Sequence, residues 1–551
     1  MSPSAPSPEF IPGTIHLVDL DGTVNSQHSK GANQDVVLIP TPSSDPDDPL
    51  NWCLARKRLF LSCLCVYCLA IGIASAAIYS ILVPISTATN LTVADLNSGT
   101  GYMFLTLGWG CLFWQPLAQK FGKRPVYLAT LLGTMAIMLW APYATTQGQW
   151  IANKVIQGFF GAPIESLCEI SVADVWFTHE RGTYIGFYTL FVAGSNFLAP
   201  IISGFINDGQ GWRWVLHWCA IFNGGGFIIL FFLMEETKYH RKALAIGSHA
   251  PSIEIPSVND DTIHKSDADL EMKANPVKPT AVISQGDIKP QPEMSYWAKL
   301  RLIRQEDLRE NTPLTGMFLR PFVYFRFPVI VFSGFMYGAV ICYFNVLNGT
   351  VSLILSAPPY SFPLSIVGLS YISCLIGVFL GAFSSGPLGD KFVLWKARGN
   401  KGIMEPEHRL WIYTALLLLV PGALILWGVG AAQEVHWFGL IFAMGVLGAS
   451  ITIGAQLPIA YCIDCYKDLG ADAIVTVILI RNTMSFAVSY GITPWVINMG
   501  YRNAFIVAAF AALLQLSVFF VFVRWGRKLR KASVDQYWKY VEQVRADGLI
   551  H

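Results

Sequence analysis

From residue 50 onward the chain alternates between long apolar runs and short polar breaks. A bilayer core takes about twenty apolar residues per helix, and the runs divide into twelve segments of that kind. Their limits read as Leu59–Ala88, Gly101–Gln119, Val126–Thr145, Trp150–Phe177, Tyr184–Asn207, Trp214–Met234, Phe327–Asn348, Leu364–Gly389, Leu410–Ala432, Trp437–Tyr466, Ala473–Asn498 and Ala504–Val523. The pattern predicts an all-α membrane protein of twelve transmembrane helices in two six-helix bundles. Residues 1–58 are then an N-terminal tail, expected to be mostly disordered. Residues 59–234 are the first bundle, 235–320 a central loop, 321–524 the second bundle and 525–551 a C-terminal tail.

The central loop contains VNDDTIHKSDADLEMKANPVKPT, which is too polar to bury a core and is expected to be disordered. Its end, YWAKLRLIRQEDL, is either an amphipathic helix on the membrane surface or a plain linker helix. Composition agrees with a polytopic chain: 13% of residues are charged and 53% hydrophobic, where a soluble domain carries about 25% charged residues. A net charge of +2 implies no nucleic-acid partner. Most of the 11 cysteines lie in or beside apolar runs, which reads as packing rather than a disulfide framework. Cys462 and Cys465 form a lone CxxC with no second ligand pair, so no metal site is expected. No cleavable leader pattern opens the chain, and the first span is expected to direct targeting.

Lys and Arg placement orients the chain. One set of loops holds Arg56, Lys57, Arg58, Lys120, Lys123, Arg124, Arg181, Lys391, Lys396, Arg398, Lys401 and a basic cluster from Arg524 to Lys531. The opposite loops hold Arg213 and Arg502. Both termini are therefore expected in the cytoplasm. Two glycosylation sequons, at Asn90 and Asn348, then fall on the outer side, Asn90 being the better placed.

The two halves repeat. QPLAQKF (Gln115–Phe121) follows the second span and GPLGDKF (Gly386–Phe392) the eighth. GWRW (Gly211–Trp214) opens the sixth span and GYRN (Gly500–Asn503) the twelfth. Parallel six-plus-six repeats joined by a cytoplasmic loop match secondary transporters whose halves rock around a central site.

These residues resemble the major facilitator superfamily over residues 50–530. PLAQKFGKRPVYL is similar to its loop motif, with Gln115 and Gln119 replacing the usual glycine and acid, and the second copy keeps the acid as Asp390. NKVIQGFFGAP resembles the fourth-helix motif, with Lys154 where arginine is usual. GSNFLAPIISG loosely resembles the fifth-helix antiporter motif, with Ala199 in place of glycine. DPDDPLNW, FTHERGTYIG, EPEHRLW and IRNTMSFAVSYGITPW resemble the fungal drug:proton antiporter branch with twelve spans. Within that branch the chain is most similar to the group containing the yeast polyamine and histidinol uptake carrier. The resemblance implies a major facilitator fold and a proton-coupled carrier, with no cofactor.

Charges that serve the shared scaffold should recur in both halves. Arg213 and Arg502 stand 289 positions apart, and Asp174 and Asp464 stand 290 apart. Asp174 and Arg181 also resemble the acid–arginine element that closes the cytoplasmic side in sugar-carrying relatives. Lys123, Arg124, Asp174, Arg181, Asp390 and Asp464 are thus expected to form one ion-pair cluster, a cytoplasmic gate that holds the outward-facing state. Glu165, Glu169 and Lys154 map to Ala455, Ile459 and Met444 and have no charged twin. At about 3.6 residues per turn, Lys154, Gly158, Glu165 and Glu169 share one stripe of the fourth helix. Such a stripe should face the bundle interior, because a carboxylate in hydrocarbon is costly.

Glu165 and Glu169 are the candidate substrate or proton site, holding a cation, a proton or both ends of a diamine. Alternatively one of them pairs with Lys154 or Arg481 and only orders the bundle. Arg481 either neutralises a carboxylate across the halves or contacts an anionic substrate group. Trp109, Trp114, Tyr188, Asn196, Tyr337, Asn345, Gln456 and Asn482 are candidates to complete the pocket, aromatic faces for a cation and amides for a polar group.

No HExxH, GxSxG or phosphate-binding loop occurs, so neither an enzyme nor an ATP-driven pump is expected. The expectation is a monomeric carrier whose partners are a small molecule, a coupling proton and the bilayer. It would sit in the plasma membrane or else the vacuolar membrane. Its task is uptake of an organic cation or polyamine, or efflux of a toxin, drug or secondary metabolite.

Overall fold

The structure is a computed structural model that describes residues 15–16, 45, 47–239, 300–302, 314–399, 403–466 and 469–546. Most of the N-terminal tail and central loop, including nearly all of YWAKLRLIRQEDL, lies outside the described residues. Helices account for almost all of the rest. One two-residue antiparallel pairing joins β1 (Ile15–His16) to β2 (Ile403–Met404).

The first half comprises α1 (Leu54–Ala76), the short α2 (Leu82–Ala88), α3 (Val93–Phe121), α4 (Lys123–Trp140), α5 (Gln147–Gly161), α6 (Pro163–Val175), α7 (Thr178–Gln210) and α8 (Trp212–Leu233). The second half comprises α9 (Leu314–Val323), α10 (Pro328–Ser356), α11 (Leu364–Leu369), α12 (Tyr371–Phe383), α13 (Gly389–Gly399), α14 (Tyr413–Ala432), α15 (Trp437–Cys465), α16 (Gly470–Ser517), α17 (Phe519–Ala532) and α18 (Val534–Ala546).

Among the described residues nine helical segments are long and apolar enough to cross a membrane. One of them, Asp472–Ala532, contains two passes that meet at Gly500, where φ is 73°. Gly211, at the matching place between α7 and α8, has φ 87°. Glycine reaches this region without a Cβ clash, so each pair of spans is joined by a single residue. Two more polar crossings, α3 and the broken pair α5 and α6, complete the twelve predicted passes.

Several limits move for identifiable reasons. Span two begins at Val93 because Thr92 and Asp95 form a capping box: the Thr92 Oγ1 accepts the Asp95 N–H at 3.1 Å, and the Asp95 carboxylate accepts the Thr92 N–H at 3.0 Å. Span one ends at Ala76, short of the expected Ala88. Span seven continues to Ser356 and carries Asn348 inside it. Asn348 is 2% exposed and accepts a hydrogen bond from the Tyr371 hydroxyl at 3.1 Å. This corrects the expectation of a sequon there, since a buried helical amide cannot carry a glycan. Asn90 is exposed in the bend between α2 and α3.

The halves meet along two seams, α3 against α16 and α7 against α11 and α12. We call the end that carries the start of α1 and the end of α17 the terminal end, and the opposite one the far end. After α8 the chain turns back on its own half. The Glu236 carboxylate accepts the N–H groups of Lys123 and Arg124 at 3.0 and 2.9 Å, satisfying amides at the start of α4. In the second half Arg530 of α17 forms a buried pair with Glu407, just before α14.

Candidate functional site

The wall of the site is built by a proline. Pro163 has no N–H, so the carbonyl of Phe159, four residues back, loses its helical donor. Trp114 of α3 supplies one from its indole N–H at 2.8 Å. Ala162 closes α5 with an N–H to the same carbonyl at 3.4 Å, and the Cys111 thiol reaches the Ala162 carbonyl at 3.3 Å. Span four is thereby broken at Ala162 and restarts as α6, whose first turn carries Glu165. Gly158 lets the backbone of Met103 approach directly, which brings α3 against α5.

Two chambers lie between the halves. The larger, about 500 Å³, runs toward the terminal end and is bordered by Glu165, Glu169, Tyr188, Tyr337, Gln456 and Arg409. The smaller, about 180 Å³, runs toward the far end past Tyr79, Asn196, Asn345 and Asn482. Glu165, Tyr337, Gln456 and Arg481 border both. At this junction the Arg481 guanidinium of α16 pairs with Glu165 across the two halves. It also donates to the Tyr337 hydroxyl and to Asn482 Oδ1, each at 2.9 Å, and lies 4.8 Å from the Tyr337 ring centroid. Three different acceptors thus hold one buried cation. Of the alternatives open for Arg481, the structure realises neutralisation of a carboxylate across the halves. The repeat is visible here too: Ala455 and Ile459, the uncharged twins of Glu165 and Glu169, line the larger chamber.

Other expected residues go elsewhere. Ala162 keeps helical dihedrals (φ −51°, ψ −40°), yet Lys154 does not reach the chamber with the glutamates. Lys154 is fully buried, donates to Gln157 Oε1 at 2.7 Å and sits 4.8 Å from the Trp150 ring centroid. Trp109 is 45% exposed on the outer face of the α3–α16 seam, where its indole donates to Thr483 at 3.3 Å. Neither residue borders a chamber, and Trp114 serves the helix break.

Among the described residues the expected gate residues form pairs within each half. Lys123 pairs with Asp174 in the first half, and Arg409 pairs with Asp464 at 3.4 Å in the second. Asp174 and Asp464 are therefore equivalent in geometry as well as in position, each bound by a cation from the start of the preceding span. Arg124 instead donates to the backbone carbonyls of Leu300 and Phe231. The side chains of Arg181 and Asp390 lie outside the described residues. Sequence reasoning missed Arg409, the partner of Asp464, and Glu236. EPEHRLW had been read only as a family string, although its arginine sits beside the third span of its half, as Lys123 does. Among the described residues no group of three His, Cys, Asp or Glu could hold a metal ion.

The profile of the Major Facilitator Superfamily matches residues 62–463, and the chain belongs to that superfamily. It is 28% identical to an uncharacterised MFS-type transporter of Schizosaccharomyces pombe, over 97% of this chain and 95% of that one. It is 26% identical to Protein HOL1 of Saccharomyces cerevisiae, over 91% and 92% of the two chains. The multidrug transporter FLU1 of Candida albicans is 23% identical, over 91% of this chain and 76% of its own. Among solved structures, the xylose transporter XylE from E. coli shares the fold, with a TM-score of 0.54, 14% identity, and coverage of 85% of this chain and 99% of that one. The protein is a multi-pass membrane transporter of the superfamily, not an enzyme.

Proposed function

We propose that this transporter moves a small organic cation by proton-coupled alternating access, with Glu165 and Glu169 as its binding carboxylates. The observation that carries this reading is the chamber between the halves, which presents the Glu165 and Glu169 carboxylates beside two tyrosines. Its two lining guanidiniums are each engaged by a carboxylate, Arg481 by Glu165 and Arg409 by Asp464. A cation entering there meets two carboxylates and the aromatic rings of Tyr188 and Tyr337. A proton on Glu165 competes directly with that cation, which is the elementary requirement for coupling the two. Arg481 keeps Tyr337 and Asn482 as acceptors when Glu165 is protonated, so it need not leave the junction.

The excess of Lys and Arg at the terminal end supports a cytoplasmic position for that end, with Asn90 on the opposite face of the plasma or vacuolar membrane. The Lys123–Asp174 and Arg409–Asp464 pairs then flank the cytoplasmic mouth. Uptake of a polyamine or related organic cation is the primary reading. Export of a drug or metabolite is the second, favoured by the apolar side chains that make up much of the chamber wall, among them Ile164, Val192, Leu457 and Ile478.

Glu165→Gln is expected to abolish transport, with surface expression retained. Transport near the wild-type rate would remove Glu165 from the site. In a host without its own polyamine carrier, rescue of growth on external polyamine supports uptake. Resistance to a toxic compound without that rescue supports export.

A further inference from the structure

The far end is closed by two seams that the internal repeat makes equivalent, yet they are built differently. The step of 271 from Gln115 to Gly386 carries Asn97 of α3 onto Gly368 of α11. The step of 289 from Gly211 to Gly500 carries Gly204 of α7 onto Thr493 of α16. Asn97 and Thr493 face each other in one seam, and Gly368 and Gly204 belong to the other.

In the first seam Asn97 is 3% exposed. Its Nδ2 donates to the Thr493 hydroxyl at 2.8 Å and to the Gly349 carbonyl at 3.3 Å. One side chain of the first half is thus tied to spans seven and eleven of the second. In the other seam the backbones meet directly at Gly204 and Gly368. A Cβ on Gly204 would lie 2.5 Å from the Leu364 carbonyl oxygen, and one on Gly368 would strike the Pro200 carbonyl. The Asp208 carboxylate accepts the Ser365 N–H beside it at 3.0 Å.

These constructions suit different motions. Backbones in direct contact roll on one another with little to break. An amide bonded to a hydroxyl and a carbonyl opens in one step, and water entering the widening cleft replaces the lost bonds, so the net cost is that of one or two ordinary hydrogen bonds. We propose that Asn97 is the latch of the far end. Its bonds to Thr493 and Gly349 hold that end shut, and the Gly204–Gly368 seam is the pivot about which it opens. Asn97 is a positioning residue that touches no substrate, and the inference needs neither the cationic substrate nor the sidedness proposed above.

The test is a distance measurement on the purified full-length protein in lipid nanodiscs. Spin labels are placed at Gly148→Cys and Gln433→Cys, exposed far-end positions in opposite halves. The background is Cys53→Ser, because Cys53 is the one exposed cysteine. Asn97→Ala and Thr493→Val are each expected to raise the wide-separation population about threefold to tenfold, the weight of one buried hydrogen bond. The double variant should match the larger single effect, since both cut the same bond. Thr493→Val keeps the side chain's shape and decides the matter alone if Asn97→Ala does not fold. An unchanged distance distribution, or a double effect equal to the product of the singles, overturns the proposal.

Discussion

Arg481 is a buried guanidinium whose one described carboxylate partner, Glu165, belongs to the other half of the molecule. Removing one member of such a pair leaves the other charge stranded, which costs more than removing both. Arg481→Gln is therefore expected to destabilise the protein by roughly 3 kcal/mol, the low end for a buried pair because Glu165 retains some access to the chamber. Glu165→Gln combined with Arg481→Gln should recover most of that loss, as read by denaturation in detergent. Equal destabilisation in the single and double variants would show that the charge pairing is not what the arginine is for. Glu165 was legible in the sequence because the repeat gives it no charged twin. Its partner was legible only as one of two options, since helical spacing relates residues within a span and says nothing about which residue faces it across an interface. Lys154 was misread for a related reason: spacing placed it on one stripe with Glu165 but says nothing about which neighbours cover each end of that stripe.

The break in span four belongs to the scale of the element, and its logic lies in Pro163 and Trp114. A carbonyl stripped of its helical donor inside a membrane has no water to turn to, and the indole of Trp114 meets the need at Phe159. Trp114→Phe keeps an aromatic ring there and removes the donor. It is expected to cost about 0.5–1.5 kcal/mol, the net worth of one hydrogen bond, since the longer bond from the Ala162 N–H remains, and to lower the melting temperature in detergent. Retention of wild-type stability would mean that the Ala162 N–H serves the carbonyl alone. The sequence announced both partners, a proline in an apolar run and a tryptophan in the span before it, but tryptophan in membrane spans has several uses and the pattern does not choose among them. The capping box at Thr92 and Asp95 is different. Its T-x-x-D spacing stands in the chain, and it would have placed the start of span two eight residues earlier than the apolar run does.

For the molecule as a whole, the twelve crossings and their repeat were legible because apolar length and loop charge follow directly from the bilayer. The organisation of the terminal end was not. Charge placement identified its residues, but ion pairs depend on loop geometry, and among the described residues the pairs lie within each half. Each half secures its own terminal end. Glu236 returns to the start of α4 and Lys123 binds Asp174, while Arg530 returns to Glu407 and Arg409 binds Asp464. Covalent continuity between the halves is then expected to be dispensable to the architecture. Two co-expressed polypeptides, divided between residues 239 and 300, are expected to assemble into a complex that co-purifies and transports. Failure of the pieces to associate, with each one stable in the membrane, would mean that the connecting chain itself supplies the fastening. If they do associate, this transporter behaves as a heterodimer that happens to be translated as one chain.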